Sequence, residues 1–384
     1  MKTVLLVSSD AGGTIALLPV VHELLARGLS VHIVASGPAI QIWQGEEVPC
    51  SRDSLPDTIS EVEAVSLIRQ HSTDAVLSGA GAYNQIEHTF RRAAAQLGVF
   101  CFALVDGWFN FSVRFQREDN GLVTSSLPDL IGVMDEASVA EMLEEGFDAN
   151  KIVIVGAPHF EETVRFAASV SEADLKHLCT RFGFQGDRHI FVFFSTPVES
   201  GGGHDGRGMP DLGYTEASIL SEIVQRLSEA CTKCGRPAQL VVKPHPSESS
   251  SALSGALKAT KRSDLLQCQI IEECKSKELI CLADGVLGMT SSALLEAALC
   301  GKPVFSIQIG RNHSAHPDRY FGNRKGITPV YDSDLCRHVM WRLLHTPRRP
   351  RTYSLSSDSN QAASRVVQAL LANIAGKPTI NTSV

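Results

Sequence analysis

A chain of 384 residues, 43% hydrophobic and 20% charged, is long enough for two globular domains that each bury a core. Its formal net charge of −7 argues against a nucleic-acid partner held by bulk electrostatics. Ten cysteines scattered through this length are no small-domain disulfide framework, and Cys101, Cys281 and Cys300 lie inside apolar runs where reduced core thiols belong.

Met1-Lys2 leads into a short apolar stretch, Val4 to Val7, broken by Ser8-Ser9-Asp10. No run approaches membrane-spanning length, so a cytoplasmic protein without stable membrane insertion is expected. Lys2 to Ser8 reads as a buried strand, Gly12-Gly13-Thr14 as a turn, and Ile15 to Arg27 as a helix stopped by Gly28. Leu29 to Ala35 is the next strand. A helix near 60–70, a strand at Asp74 to Ser78, a helix from Asn84 to Leu97 and a strand at Val99 to Val105 follow. Ile131 to Met134 and Ile152 to Val155 complete a domain whose alternation implies a parallel, doubly wound sheet.

The loop from Ser8 to Thr14 is glycine-rich but lacks the G-x-G-x-x-G spacing, and Ser36-Gly37-Pro38 stands where a ribose-binding acid would follow the second strand. Both absences disfavour a dinucleotide dehydrogenase. Asp10 either caps the following helix or offers a carboxylate at the strand end. Asp106 also ends a strand, with Trp108, Phe109 and Phe111 behind it and Arg114 next, in a chain with only 6% aromatics. An aromatic surface beside a carboxylate suits a sugar, which packs a ring face and yields a hydroxyl proton to a base. Alternatively, the rings fill the core and Asp106 caps a turn. His22 and His88 read as surface or packing residues on helices.

Glu161 to Phe184 reads as a helical linker into a second domain, whose first strand is His189 to Phe194. Ser195 and Thr196 open a long glycine-rich loop, to Gly208, which reads either as a mobile cover over a ligand or as a surface insertion. Cys231-Thr232-Lys233-Cys234 is a lone C-x-x-C and is read as structural, not as a metal site. Ala238 to Val242 is a strand ending at Lys243-Pro244-His245-Pro246, where two prolines hold the imidazole in a fixed turn. Asp284 to Gly288 is a further strand, and Thr290-Ser291-Ser292 stands where the next helix should be N-capped, with Glu296 one turn on. A hydroxyl cluster there serves either as a plain cap or as an anion site. Gly301-Lys302-Pro303-Val304 leads into another strand, and Gln308 to His313 leaves it with Arg311 as an added cation. The basic segment His345 to Arg351 reads as a solvated linker, Ser357 to Ala375 as a final helix, and Lys377 to Val384 as frayed.

The strand ending in K-P-H-P, followed by T-S-S, E-A and G-K-P-V, resembles the C-terminal domain of GT-B glycosyltransferases, nearest to bacterial capsule, lipopolysaccharide and sialyltransferase-like types with HP and Ser/Ser-Thr motifs. The likeness spans roughly residues 185 to 310. It implies an α/β protein of two Rossmann-like doubly wound domains facing a cleft: an acceptor-side domain at 1–160, a nucleotide-sugar domain at 161–355, and a helix in 356–384 packing back on the first domain. It further implies that His245 contacts the donor phosphate, that Ser291 and Ser292 with Thr290 do likewise, and that Glu296 binds ribose. The loop carrying Asp10, Gly12 and Gly13 would face the acceptor, together with Trp108.

The expectation is therefore a metal-independent glycosyltransferase that moves a sugar from a nucleotide sugar to a hydroxyl-bearing acceptor, a glycan or lipid-linked glycan, in polysaccharide or glycoconjugate biosynthesis. No cofactor is called for, because no D-x-D pair ends any of the strands read above and neutralisation falls to backbone N–H groups, Lys243, His245, the hydroxyl cluster, and Ser195 and Thr196. Asp106 or Asp10 would act as base. The alternatives are a nucleotide-sugar 2-epimerase or hydrolase of the same fold, against which Thr290-Ser291-Ser292-Ala293-Leu294 replaces the epimerase S-D-S-G-G, and a non-catalytic nucleotide-binding subunit. Homo-oligomerisation is left open.

Overall fold

The computed structural model describes residues 2–81, 85–108, 111–119, 122–198, 212–245, 248–312, 326–346 and 361–374. It divides into two compact units, Met1–Glu162 with the chain's last helix, and Thr163–Ser356.

In the first unit apolar runs of strand length alternate with amphipathic helices. They are β1 (Thr3–Ser8), α1 (Ala11–Ala26), β2 (Ser30–Ala35), α2 (Pro38–Gln44), β3 (Ser51–Ser54), α3 (Glu61–Gln70), β4 (Ala75–Ser78), α4 (Gln85–Leu97), β5 (Phe100–Leu104) and α5 (Phe111–Phe115). An antiparallel pair, β6 (Gln116–Asp119) and β7 (Leu122–Ser125), precedes β8 (Leu130–Val133), α6 (Glu136–Glu144), β9 (Ile152–Ile154) and α7 (Pro158–Ser169), within which the unit boundary falls. The sheet runs β3-β2-β1-β4-β5-β8-β9, all parallel. Such a sheet is buried on both faces, so its strands read as unbroken apolar runs. Val4 and Leu6 of β1 enter one core with α1, and Leu5 and Val7 enter the other with α3 and α4.

The second unit adds α8 (Glu172–Arg181), β10 (His189–Phe194), α9 (Glu216–Cys234), β11 (Ala238–Lys243), α10 (Ser251–Ala259), β12 (Leu266–Ile270) and α11 (Ser276–Leu282). It continues with β13 (Gly285–Gly288), α12 (Ala293–Leu299), β14 (Val304–Ile307), β15 (Ile327–Val330) and α13 (Ser333–His345). Its sheet, β12-β11-β10-β13-β14-β15, is also parallel throughout. The last helix, α14 (Ala362–Ile374), belongs to the first unit, where Val366, Val367 and Leu370 are fully buried against α1 and β5. Buried Glu161 accepts from the backbone N–H groups of Ala362 and Ala363 and so caps α14.

Two elements differ from the sequence reading. Helix α1 starts at Ala11, so Gly12 and Gly13 form its first turn and not a separate turn, because Asp10 caps it by accepting from Gly13 N at 2.7 Å. The helix expected over Glu161 to Phe184 is two helices. Ser171 and Asp174 form a reciprocal capping box that starts α8 afresh after Ser169. The glycine-rich loop beyond Val198, Phe109, Pro246, His313 and the basic segment beyond Thr346 lie outside the described residues. No described helix is long and apolar enough to cross a membrane.

Candidate functional site

Both sheets reverse their winding at the first strand, between β1 and β4 in one unit and between β10 and β13 in the other. At such a switch point the loops leave in opposite directions and open a crevice at the carboxyl edge, where open α/β sheets take ligands.

In the second unit Phe194 of β10 lies in register with Lys243 of β11 and Gly288 of β13, so Ser195, His245 and Thr290 to Ser292 emerge side by side. Ser195 is buried and its hydroxyl donates to Glu248 Oε1 at 3.0 Å, while Glu248 Oε2 accepts from the His245 backbone N–H at 3.1 Å. Glu248 thereby ties the Lys243 to His245 turn to the tip of β10. Burial raises the pKa of Glu248. His245 is exposed as a residue, yet partial desolvation of its ring and the Lys243 ammonium lower its pKa, which leaves a neutral imidazole with one N–H to donate at pH 7. Lys243 Nζ donates to the Glu272 carbonyl at 2.7 Å, toward the β12 side of the edge.

The hydroxyl cluster adopts a geometry other than the expected cap. Ser292 occupies the N-cap position of α12 with no side-chain cap bond and is exposed, and Ser291 Oγ instead accepts from Ala293 N at 3.3 Å. Glu296 is half-buried, and its Oε2 accepts from the buried Thr163 hydroxyl at 2.5 Å. Flanking the cluster, Thr196 Oγ1 after β10 and Gln308 Oε1 after β14 are buried and have no hydrogen-bond partner among the described residues. Arg311 stacks its guanidinium 3.7 Å from the Tyr331 ring centroid.

In the first unit the structure brings Asp10, Gly12, Gly13 and Asp106 together. A Cβ on Gly12 would lie 2.1 Å from Asp106 Oδ2 and 3.6 Å from Asp10 Oδ1, so only glycine lets the two carboxylates share this place. Asp106 Oδ1 pairs with Arg114 Nη1 at 2.8 Å, and the same nitrogen donates to the Ala80 carbonyl at 2.6 Å. Trp108 is 9% exposed, its indole N–H donates to Asp135 at 2.9 Å, and it stacks on Phe160, so its ring is packed inside the unit, as Phe111 is.

Two groups here escaped the sequence reading. Glu87, on α4, is fully buried behind the Asp10 loop. It accepts from the Ser9 hydroxyl at 2.9 Å and from Gly81 N at 2.8 Å, and it lies so close to Gly79 that a Cβ there would be 2.8 Å from Oε1. Burial above all, with Asp10 adding repulsion, raises its pKa to about 7. His159, read only as part of a boundary, has a buried Nδ1 with no partner among the described residues. Desolvation pushes its pKa down to about 4, against the opposing pull of Asp106. Helix α4 is rich in polar residues, so Glu87 does not stand out within it, and its partner Ser9 lies 78 residues away.

No protein-family model and no curated protein matches the chain by sequence. Solved structures do match by shape. A UDP-GlcNAc 2-epimerase from Neisseria meningitidis, bound to UDP-GlcNAc, superposes with TM-score 0.62 at 13% identity over 97% of this chain and 100% of that one. The UDP-GlcNAc 2-epimerase from Methanocaldococcus jannaschii gives 0.65 at 14% over 97% and 100%. A glycosyltransferase from Rickettsia africae gives 0.64 at 12% over 98% and 99%. At such identity the likeness is one of fold, and the fold is GT-B: two Rossmann-like, doubly wound α/β domains. None of the three is described as a capsule or sialyltransferase type, so the narrower resemblance expected from the motifs gains no support from them.

Proposed function

We propose that this protein is an enzyme acting on a nucleotide sugar, with epimerisation at carbon 2 or hydrolysis as its reaction. The observation that carries the nucleotide-sugar reading is the carboxyl edge at β10 and β13. There the Thr196 hydroxyl and the Gln308 carbonyl oxygen are buried without described partners on either side of Thr290 to Ser292, with His245 on the next strand. Buried polar atoms of this kind are paired in stable proteins, by protein groups, ordered water or a ligand. Hydroxyls and a neutral imidazole donate to phosphate oxygens, and a free carbonyl oxygen accepts from a ribose hydroxyl or a ring N–H.

The fold likeness to UDP-GlcNAc 2-epimerases supports epimerisation over transfer. Inverting a carbon that bears hydrogen requires one group to take a proton and another to return one. Asp106 and Asp10 are proposed for those roles, with Arg114 as the charged partner of Asp106. Transfer to an acceptor hydroxyl is the second reading, favoured by one observation: Thr290-Ser291-Ser292-Ala293-Leu294 departs from the S-D-S-G-G start of the epimerases.

Incubation with UDP-GlcNAc in heavy water, followed by proton NMR, separates the readings. Deuterium entering at carbon 2 without acceptor is the expected outcome; UDP released only when an acceptor hydroxyl is added establishes transfer instead. A melting-temperature screen with UDP, GDP, CMP, CDP and dTDP tests the binding claim beneath both, since a ligand bound only by the folded state raises Tm. No shift with any of them sinks the nucleotide-sugar reading. Asp106→Asn should lower turnover by about 10²–10⁴-fold and keep the nucleotide-induced shift; loss of both together removes Asp106 as the base.

A further inference from the structure

His32 stands on β2, Asp53 on the edge strand β3, and His71 closes the C-terminus of α3. In the parallel register His32 pairs with Ser51 and Val34 with Asp53, which puts His32, Ser51 and Asp53 on one face of the sheet, the face that α3 covers. His32 also lies level with Leu5 of β1, four to five residues before the Ser9–Asp10 loop. At about 3.3 Å per residue this is some 13–16 Å from the carboxyl edge, so the cluster is separate from the site described above.

Its geometry gathers three ligand atoms at one point, with a hydrogen bond between His32 and Asp53. His32 Nε2 lies 2.8 Å from Asp53 Oδ2, and His71 Nε2 lies 3.5 Å from the same oxygen, too far to bond. His71 Nε2 is buried and makes no hydrogen bond. The two imidazoles stack at 3.5 Å between centroids, and the three ligand atoms all fall within 4.8 Å of one another, a grouping unique among the described residues. Two stacked rings aimed at one carboxylate oxygen cannot both be charged without repulsion. Behind them Ser51 Oγ sits 2.5 Å from His32 Nδ1. A proton on Nδ1 donated to that hydroxyl turns the Nε2 lone pair to the centre of the cluster, the arrangement that orients metal-binding histidines elsewhere.

We propose that His32, Asp53 and His71 bind one borderline divalent cation, of the zinc class, which pins the edge strand β3 and the end of α3 to β2. Two imidazoles and one carboxylate select zinc, cobalt or nickel over magnesium or calcium. Zinc bonds of about 2.0–2.2 Å in a tetrahedron set the ligand atoms about 3.3–3.5 Å apart, which the observed separations reach with shifts of about 1 Å. The Asp53 side chain is 39% exposed while that of His32 is 7% exposed, so the fourth position opens to solvent and takes water. Cys231 of the C-x-x-C is buried in the apolar core of the second unit, and the pair joins no group of three ligand atoms among the described residues.

The test uses the full chain stripped of metal by chelator and dialysis. Zinc chloride should bind at one equivalent by calorimetry and raise Tm, magnesium chloride should do neither, and cobalt chloride should give the visible absorption of a four- or five-coordinate nitrogen and oxygen site without a thiolate charge-transfer band. His71→Gln and Asp53→Asn, both at partly exposed positions, should melt near the metal-free wild type and lose zinc affinity by more than the ten- to hundredfold that removing a supporting group costs. No one-equivalent zinc binding by the wild type, undiminished binding by either variant, or a thiolate band with cobalt would overturn the proposal.

Discussion

At the scale of single residues, the buried carboxyl of Glu87 makes stability depend on pH. Its pKa is about 7 in the folded protein against an ordinary 4.5, so between those values the folded state keeps a proton that the unfolded chain has released. Stability contributed by that proton is complete below pH 4.5 and is lost as pH rises to about 7, by an amount of the order of 3 kcal/mol. Glu87→Gln imitates the protonated form: its amide donates to Ser9 while its oxygen accepts from Gly81. Urea denaturation at several pH values should therefore show this part of the slope in the wild type and not in the variant; an unchanged slope would assign it to other groups. Asp10 and Asp106 were legible in the sequence because each ends an apolar strand. Glu87 was not, because nothing within its own helix marks its distance from Ser9 and Gly81.

Among elements, strands β10 and β11 followed the apolar runs closely, since a parallel strand covered on both faces needs apolar side chains at every position. Edge strand β3 was invisible, because Ser51-Arg52-Asp53-Ser54 has no apolar residue and is recruited only by pairing with β2. Helix α1 shows what a local reading of glycine misses. Gly12 and Gly13 sit in its first turn, where Asp10 supplies the cap and the glycine leaves room for Asp106. Gly12→Ala drives a methyl into the Asp106 carboxylate and must displace it from Arg114. Turnover should fall about 10²-fold, as for a catalytic group moved by about 1 Å. Unfolding free energy should change by less than about 1 kcal/mol, since alanine favours the helix it strains. Full activity in this variant would show that Asp106 does not need its observed position.

For the whole molecule, the last helix completes a core begun some 360 residues earlier. Leu370 is fully buried among α1 and β5 side chains, and Glu161 caps the helix from α7. Leu370→Ala should cost about 2–5 kcal/mol in the transition that unfolds the first unit. A cost below about 1 kcal/mol would mean that α14 contributes little to that core. The periodicity of Ser357 to Ala375 announced a helix, and the contacts of α14 with α1 and β5 are visible only in the assembled unit.

The sequence by itself determined which segments are buried strands, where their ends carry hydroxyls, an imidazole or carboxylates, and that the class is doubly wound α/β, because those properties rest on apolar runs and turn chemistry within a few residues. Only the tertiary structure decided that β10 lies between β11 and β13, that Gly12 gives its space to Asp106, and that Glu87 lies under Ser9. Each is a contact between segments distant in the chain, set by the order in which strands pair, and strand order is a property of the assembled sheet that no local pattern encodes.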